Sequence, residues 1–301
     1  MIRSLDAATN RFLDGLRDLN ARMERAQRQV AGGKRVAAPS EEPDSVVSLV
    51  SAKADLARLD QIRANLSRFR TEVDGAEGML QQAVKLFDRV RTLGMTGASG
   101  IQTDATRRGI ADEIRSLLER MIGIANTQVD GRYVFSGNAD QNPAYGLDWS
   151  ASPPWGAYQG AAATREAIHP TGVTFRVSLD AQWIFDNADP GKNVFASIEN
   201  LRQALLSGDE SAMRAALEPL ADVAAHLNAA LMFYGNVQTQ VAEAIETTSA
   251  MSLRLKTQIG GIEDADLTEA IVELQQIRFT QEAALQVRAA APRRSLFSYL
   301  A

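Results

Sequence analysis

The residue types that most often carry out chemistry in proteins are scarce in this chain. It has no cysteine, which excludes disulfides, thiol catalysis and thiolate metal sites. Its two histidines are His169 and His226, and neither has a second histidine at metal-ligand spacing. No acid–base pair or nucleophile arrangement is visible in the sequence. The sequence therefore predicts a protein that is not an enzyme and that has no catalytic residue, cofactor or metal.

Three other groups of residues have an ordinary structural interpretation. The acids of segment 41–44 could hold a hard cation, but acids at a predicted helix start usually interact with the helix dipole. The glycine-rich segment 94–100 lacks the Lys-Ser/Thr ending of a phosphate loop, so we expect a plain loop. Trp149, Trp155 and Tyr158 could form a carbohydrate- or peptide-binding patch, although such a cluster is more often the core of a small β domain.

The composition favours a helical architecture. Hydrophobic residues make up 45% of the 301 residues, charged residues 23% and aromatic residues only 6%, as in a soluble protein of helices packed through aliphatic seams. The net charge of −5 argues against nucleic-acid binding, and no apolar run is long enough to span a bilayer. The first residues lack the apolar core of a secretory signal. We therefore expect neither nucleic acid nor membrane as a partner.

The positions that would build such an architecture follow heptad spacing. In the N-terminal segment, apolar residues step by 4 and 3 from Phe12 to Val30, after which Gly32-Gly33 predicts a helix end. Ten apolar residues from Leu59 to Val90 alternate steps of 3 and 4, which predicts a long coiled-coil-type helix over about 44–93. Pro43 is tolerated in the first turn of that helix.

The rest of the chain alternates helices with one different region. We expect a third helix over about 104–130, a short one through Ile198, Leu201 and Leu205, and another over about 209–230. A long helix follows, which Gly260-Gly261 interrupts. Ten of the eighteen aromatic residues lie between positions 131 and 195, where the alternation of Val173 to Val177 predicts a strand. Asp266 is placed to cap a last helix.

The predicted fold class is mainly α. A long antiparallel coiled-coil-like helical rod, formed by the N- and C-terminal parts, carries a small β-rich inserted domain. The predicted regions are an N-terminal assembly helix and connecting loop (1–43), the N-terminal part of the central rod (44–130), the β-rich outer insertion (131–194), the C-terminal part of the rod (195–264) and a C-terminal assembly helix (265–301).

Both terminal segments are amphipathic helices whose only evident partners are each other or other copies of the chain. An isolated helix is marginal in water, so we expect the termini to order fully on assembly. Through Arg35 the N-terminal segment has eight basic and four acidic residues, and its arginines could pair with acids of neighbouring copies. The predicted assembly seam consists of Phe12, Leu16, Leu19, Met23, Leu267, Ile271, Leu274, Leu296, Phe297 and Leu300.

Four stretches, in this order, carry a resemblance to a known family. They are the turn GGKR followed by PSEEP (32–35 and 39–43), GRYVFSG (131–137), YQG (158–160) and IEDADLTEAI (262–271). Together they resemble the flagellin superfamily and, within it, the hook-associated protein 3 branch. The second and third stretches favour that branch over filament flagellins.

The resemblance implies an extracellular protein of the bacterial flagellum, stacked axially at the hook–filament junction and exported by the flagellar type III apparatus. The implied partners are other copies in an axial ring, neighbouring hook-associated protein 1 and flagellin, and an export chaperone that holds the C-terminal helix. Pro292 falls where the family continues its last helix, and a proline inside a helix costs about 3 kcal/mol. We therefore expect a kink or a restart there.

Two alternative functions stay open from the sequence. The chain could be a short filament flagellin, or it could be a secreted coiled-coil adhesin whose aromatic insertion binds a surface ligand.

Overall fold

The computed structural model describes residues 7–36, 42–99 and 102–290. Most of these residues are helical, which confirms the predicted fold class. The helices are α1 (Ala7–Gly32), α2 (Pro43–Gly97), α3 (Asp104–Ala125), α4 (Ala181–Phe185), α5 (Val194–Ser207), α6 (Glu210–Leu217), α7 (Leu220–Glu263) and α8 (Leu267–Ala290). None of these described helices has an apolar stretch long enough to cross a bilayer.

Helix boundaries follow the predicted signals at several points. Gly33 takes a left-handed φ of 66° directly after α1. Pro43 is the first residue of α2, where its missing N–H removes no hydrogen bond. Asp266 accepts hydrogen bonds from the backbone N–H groups of Thr268 (2.8 Å) and Glu269 (3.1 Å), so it caps α8 as predicted.

Other boundaries correct the prediction. The helix predicted over 209–230 is divided, because α6 ends at Leu217 and Pro219 stands before the first residue of α7. By contrast, Gly260-Gly261 does not interrupt α7, which continues to Glu263. A glycine lowers helix stability by only about 1 kcal/mol, and a long packed helix tolerates that cost.

The glycine-rich segment is also more helical than expected, since α2 continues to Gly97. A side chain at Gly94 would meet Leu201 at 2.7 Å, and one at Gly97 would meet Leu205 at 2.6 Å. These two glycines therefore let α5 approach α2 closely. Helix α3 ends at Ala125 and does not reach the predicted position 130, because the chain turns after Ala125 into the first β-strand.

The β structure of the insertion is slight. It consists of two antiparallel hairpins, β1 (Gln128–Val129) with β2 (Arg132–Tyr133) and β3 (Glu166–Ile168) with β4 (Thr174–Arg176). In the second hairpin Ala167 lies opposite Phe175, and β4 confirms the strand predicted there. Apart from the short helix α4, the rest of the insertion consists of turns and irregular chain around an aromatic core.

Aromatic side chains form that core. Phe135 packs edge-on against Phe185 (ring centres 5.9 Å apart) and Tyr234 (6.1 Å), and Tyr145 packs edge-on against Phe195 (5.2 Å). The Tyr234 hydroxyl accepts a hydrogen bond of 3.1 Å from the N–H of Leu179, and burial raises the tyrosine pKa. These contacts hold the insertion against α7.

The aromatic residues that could have formed a binding patch divide between core and surface. Trp155 is only 5% exposed, and the hydroxyl of half-buried Tyr158 donates to the backbone oxygen of Phe135 at 3.1 Å. Trp149 is half-buried, with the Arg115 guanidinium 4.2 Å from its ring centre. The core interpretation therefore describes Trp155 and Tyr158, while Trp149 lies at the edge.

The chain divides into two compact units. The first contains residues 1–58 and 252–301, and the second residues 59–251. The division falls inside α2 and α7, whereas the predicted borders at 43/44 and 264/265 lie near helix ends.

Candidate assembly interface

The first unit pairs the two terminal helices in opposite directions. The Arg22 guanidinium lies 2.9 Å from a carboxylate oxygen of Glu273. Gln281 donates to Asn20 at 3.1 Å, and Arg288 donates to the Thr9 hydroxyl at 2.7 Å. Early residues of α1 thus meet late residues of α8, which makes the pair antiparallel.

On α1 the predicted seam residues share one face. Phe12, Leu16, Leu19 and Met23 are all half-buried, and Ala26, the next residue in the 3–4 spacing, is only 1% exposed. The remaining sides of α1 are mostly charged or polar. The heptad spacing in the sequence follows this apolar side of the helix.

On α8 the least exposed face differs in part from the predicted one. Ala270 (3% exposed) and Ile277 (2%) are buried, and half-buried Leu274, Gln281 and Ala284 continue the spacing in steps of 4 and 3. Leu274 therefore lies on the predicted side. Leu267 (47%) and Ile271 (43%) lie off this face and stay exposed. Leu296, Phe297 and Leu300, like Pro292, lie outside the described residues.

Away from this face, helix α8 carries exposed apolar side chains among its polar residues, and we call this part of the helix its outer surface. Phe279 is 73% exposed there, and Val287 is 72% exposed. The outer surface consists of Leu267, Ile271, Val272, Phe279, Leu285 and Val287. Several large apolar side chains that are exposed together usually mark a surface that a partner covers. No described residue provides that cover.

A second group of contacts in the first unit links the segment after α1 to α2 and to the end of α7. The sequence analysis did not predict these contacts. The carboxylate of Glu263 lies 2.5 Å from the Lys34 ammonium and 2.6 Å from that of Lys53. The backbone oxygen of Glu263 accepts from the Arg35 N–H at 2.7 Å, and Gly33 accepts from the Ala265 N–H at 2.9 Å. We call this group the Glu263 clasp.

The charges of the clasp stabilise one another. Hydrogen bonds from the Lys34 and then the Lys53 ammonium hold the pKa of Glu263 below its ordinary value. The same contact with Glu263 raises the pKa of Lys34. Glu263 is far in sequence from Lys34 and Lys53, and no local spacing relates them, so the sequence alone did not predict these two ion pairs.

The described residues were also compared with the arrangements that bind metal ions. Within the ranges 7–36, 42–99 and 102–290, no three His, Asp or Glu side chains are grouped so that they could hold a metal. Two arginines of α1 form ion pairs inside the chain: Arg22 with Glu273, and Arg17 with Asp14 at 3.1 Å. The first unit therefore contains the paired helices α1 and α8, with exposed apolar side chains on α8.

Comparisons with known proteins match both ends of the chain. The family model of the bacterial flagellin N-terminal helical region matches residues 4–140, and that of the C-terminal helical region matches residues 220–300. Flagellar hook-associated protein 3 of Salmonella typhimurium is 23% identical over 91% of this chain and 90% of its own length. The Escherichia coli protein of that name is 23% identical over 84% of this chain and 78% of its own.

A solved structure supports the same fold. The putative flagellar hook-associated protein from Vibrio parahaemolyticus superposes with a TM-score of 0.65, at 21% identity, over 74% of this chain and 100% of that one.

Proposed function

The chain belongs to the flagellin family, and on that premise we propose that it is a structural subunit of the bacterial flagellum that joins the hook to the filament. The observation that carries the proposal is the outer surface of α8, apolar and uncovered at the family's C-terminal helical region. The similarity to hook-associated protein 3 over most of both chains supports the junction role over a filament role.

We expect the outer surface of α8 to bind a partner that is itself a helix with apolar side chains. Full burial of a side chain such as Phe279 contributes about 1.5–3 kcal/mol, so several together can drive association. The terminal helices of further copies present the same surface and match that requirement. Near the start of α2, Val47 (77% exposed) and Val50 (60% exposed) are further apolar side chains available for such association.

The proposed mechanism is cohesive rather than catalytic. In the free subunit α1 and α8 hold each other through one shared face. In the assembled ring the outer surface of α8 packs against neighbouring copies, with hook-associated protein 1 on one side and flagellin on the other. Before export through the type III apparatus, a cytoplasmic chaperone would cover the C-terminal helix, and the mature subunit would lie outside the cell.

A gene deletion in the host tests this function. We expect cells with hooks but without filaments, and flagellin shed as monomer into the medium. Loss of the major flagellin from the medium, together with absent filaments, would instead identify a filament flagellin. Normal filaments and swimming, with no paralogue able to substitute, would contradict a flagellar role and favour the adhesin.

A pair of variants tests the outer surface itself. Phe279→Asp puts a charge where we expect a neighbouring copy, so it should abolish filament attachment while the purified monomer keeps its helix content. Phe279→Leu, which keeps a large apolar side chain at the same exposed position, is the matched control and should restore filaments in the deletion strain. Equal complementation by both variants would contradict the assigned surface.

Leu19→Asp is predicted to block assembly by a different route. Leu19 is half-buried on the seam face of α1, so a charge there should first weaken the pairing with α8. We expect less helix in the monomer as well as loss of incorporation. Normal incorporation of this variant would contradict the seam.

A further inference from the structure

The second compact unit has a cavity, and all of its lining residues belong to that unit. It measures about 300 Å³ and lies between α2 and β3. Ile62 (9% exposed) and Leu66 (1%) contribute buried apolar side chains, and Phe69 and Ile168 complete the apolar lining. The cavity is therefore suited to one apolar side chain.

Three arginines (Arg68, Arg132 and Arg165) and two acids (Glu72 and Glu166) line the cavity, so its lining has a small excess of positive charge. Arg165 is engaged with Glu72 at 2.7 Å, and Arg132 with Asp140 at 3.2 Å. Arg68 also lines the cavity, is exposed, and forms no ion pair or hydrogen bond with any residue of the described ranges. An apolar group with a neighbouring carboxylate fits this combination.

The same unit presents that pair of groups elsewhere on its surface. Leu147 is 43% exposed and does not line the cavity, and Asp148 follows it directly. Among the large apolar side chains that are exposed in the described part of residues 59–251, Leu147 alone has a carboxylate next to it in sequence. Hydrogen bonds from Ser150 hold the pKa of Asp148 below its ordinary value, which favours the anion.

The segment that carries Leu147 is held rigidly. On one side Asn126 exchanges hydrogen bonds with the backbone of Tyr145, at 2.7 and 3.0 Å. On the other side Asp148 donates its N–H to the oxygen of Pro154 at 2.8 Å, and Trp149 donates to Glu119 at 2.8 Å. A group fixed in this way loses little conformational freedom when it binds.

We propose that Leu147 and Asp148 of one copy bind in the cavity of the next copy, with Leu147 against Phe69 and Ile168 and with Asp148 paired with Arg68. This inference rests on the proposed function. Two different patches on each copy make a head-to-tail contact, which repeats around a ring or along a helix instead of stopping at a dimer. The contact supplies lateral cohesion between the second units.

Disulfide trapping tests the contact, and the absence of native cysteine gives the chain itself no background. Asn65 is exposed and lines the cavity, so Asn65→Cys and Leu147→Cys are combined in one full-length chain. A disulfide needs Cβ atoms about 3.5–4.5 Å apart, so it forms only if the two patches meet. Hook–filament complexes are isolated from the complemented deletion strain, oxidised and run without reductant.

We expect a ladder of dimer, trimer and larger species, because each copy would be linked to two neighbours. Each single variant should stay monomeric. The matched control pairs Asn65→Cys with Leu206→Cys, a leucine of similar exposure (44%), and should also give no ladder. No ladder from the test pair, or an equal ladder from the control pair, in complexes that contain the chain overturns the contact and leaves the junction role intact. Absence of the wild-type chain from the complexes overturns both.

A charge exchange provides an independent check. Arg68→Glu and Asp148→Arg should each lower the amount of chain in the complexes about tenfold, and the double variant should recover most of it. Additive loss in the double variant would contradict the pairing.

Discussion

The pairing of α1 with α8 makes a sharp prediction about two isoleucines of one helix. Ile277 is 2% exposed on the seam face, whereas Ile271 is 43% exposed on the outer surface. We expect Ile277→Ala to loosen the pair far more than Ile271→Ala. Both substitutions replace the same residue with alanine in the same helix, so the change in helix propensity cancels in the comparison.

The magnitude follows from burial. Truncating a buried isoleucine to alanine costs about 2–5 kcal/mol, and we take about 2 kcal/mol because a face shared by two helices can partly close over the gap. That loss makes opening of the pair about 30 times more frequent. At Ile271 the side chain already lies largely in water, and we expect less than about 1 kcal/mol, or under about fivefold.

Amide hydrogen exchange of the purified monomer measures both effects, with peptides that cover α1 and α8. The rate should rise about 30-fold in both helices for Ile277→Ala, because opening releases both partners. Equal exchange rates in the two variants, or a larger effect of Ile271→Ala, would refute the seam. In cells we expect a different kind of effect from Ile271→Ala. This variant should reduce incorporation of the chain into the flagellum, although it does not loosen the α1–α8 pair of the monomer.

Three further predictions concern buried polar groups. Because the folded pKa of Glu263 is depressed, its contribution is present above the ordinary carboxyl pKa and is lost as pH falls through the folded value; Glu263→Gln should remove about 1.5–3 kcal/mol and this acid dependence, measured by exchange in α1 and α8. Tyr234→Phe leaves the Leu179 N–H unpaired and should cost the second unit about 1–3 kcal/mol in denaturant unfolding followed by tryptophan fluorescence. Burial raises the pKa of Glu72 despite Arg165, so the same fluorescence should report greater stability as pH falls from neutral toward the ordinary carboxyl pKa, and Glu72→Gln should abolish that gain.

Tryptophan fluorescence suits the last two measurements because of where the tryptophans lie. Trp149, Trp155 and Trp183 are the three tryptophans of the chain, and all belong to the second unit. The signal therefore follows that unit without a contribution from the terminal helices. A pH profile that does not change in Glu72→Gln would contradict the assignment to this carboxyl group.

Local patterns in the sequence were enough to predict much of the fold. The cap at Asp266 and strand β4 each depend on neighbours within a few residues, and each lies where it was expected. The start of α2 at Pro43 is of the same kind. Periodicity and capping identify such features because the physical cause is itself local.

The misses have a common physical origin in tertiary context. Apolar and polar residues are mixed around helix α8, so spacing alone did not show that Ala270 and Ile277 are its buried positions in the subunit. The Glu263 clasp joins residues that are distant in sequence. The Gly94 turn of α2 remains helical because another helix packs against it.

The most direct test of the central claim locates the chain on the flagellum. Ala188→Cys places a single thiol at an exposed position of the insertion, and maleimide-linked gold then marks it on hook–filament complexes from the complemented deletion strain. Complexes that carry the cysteine-free wild-type chain serve as the control. We predict one narrow band of gold at the boundary between hook and filament. Gold along the whole filament, or none above the control, would contradict a junction subunit.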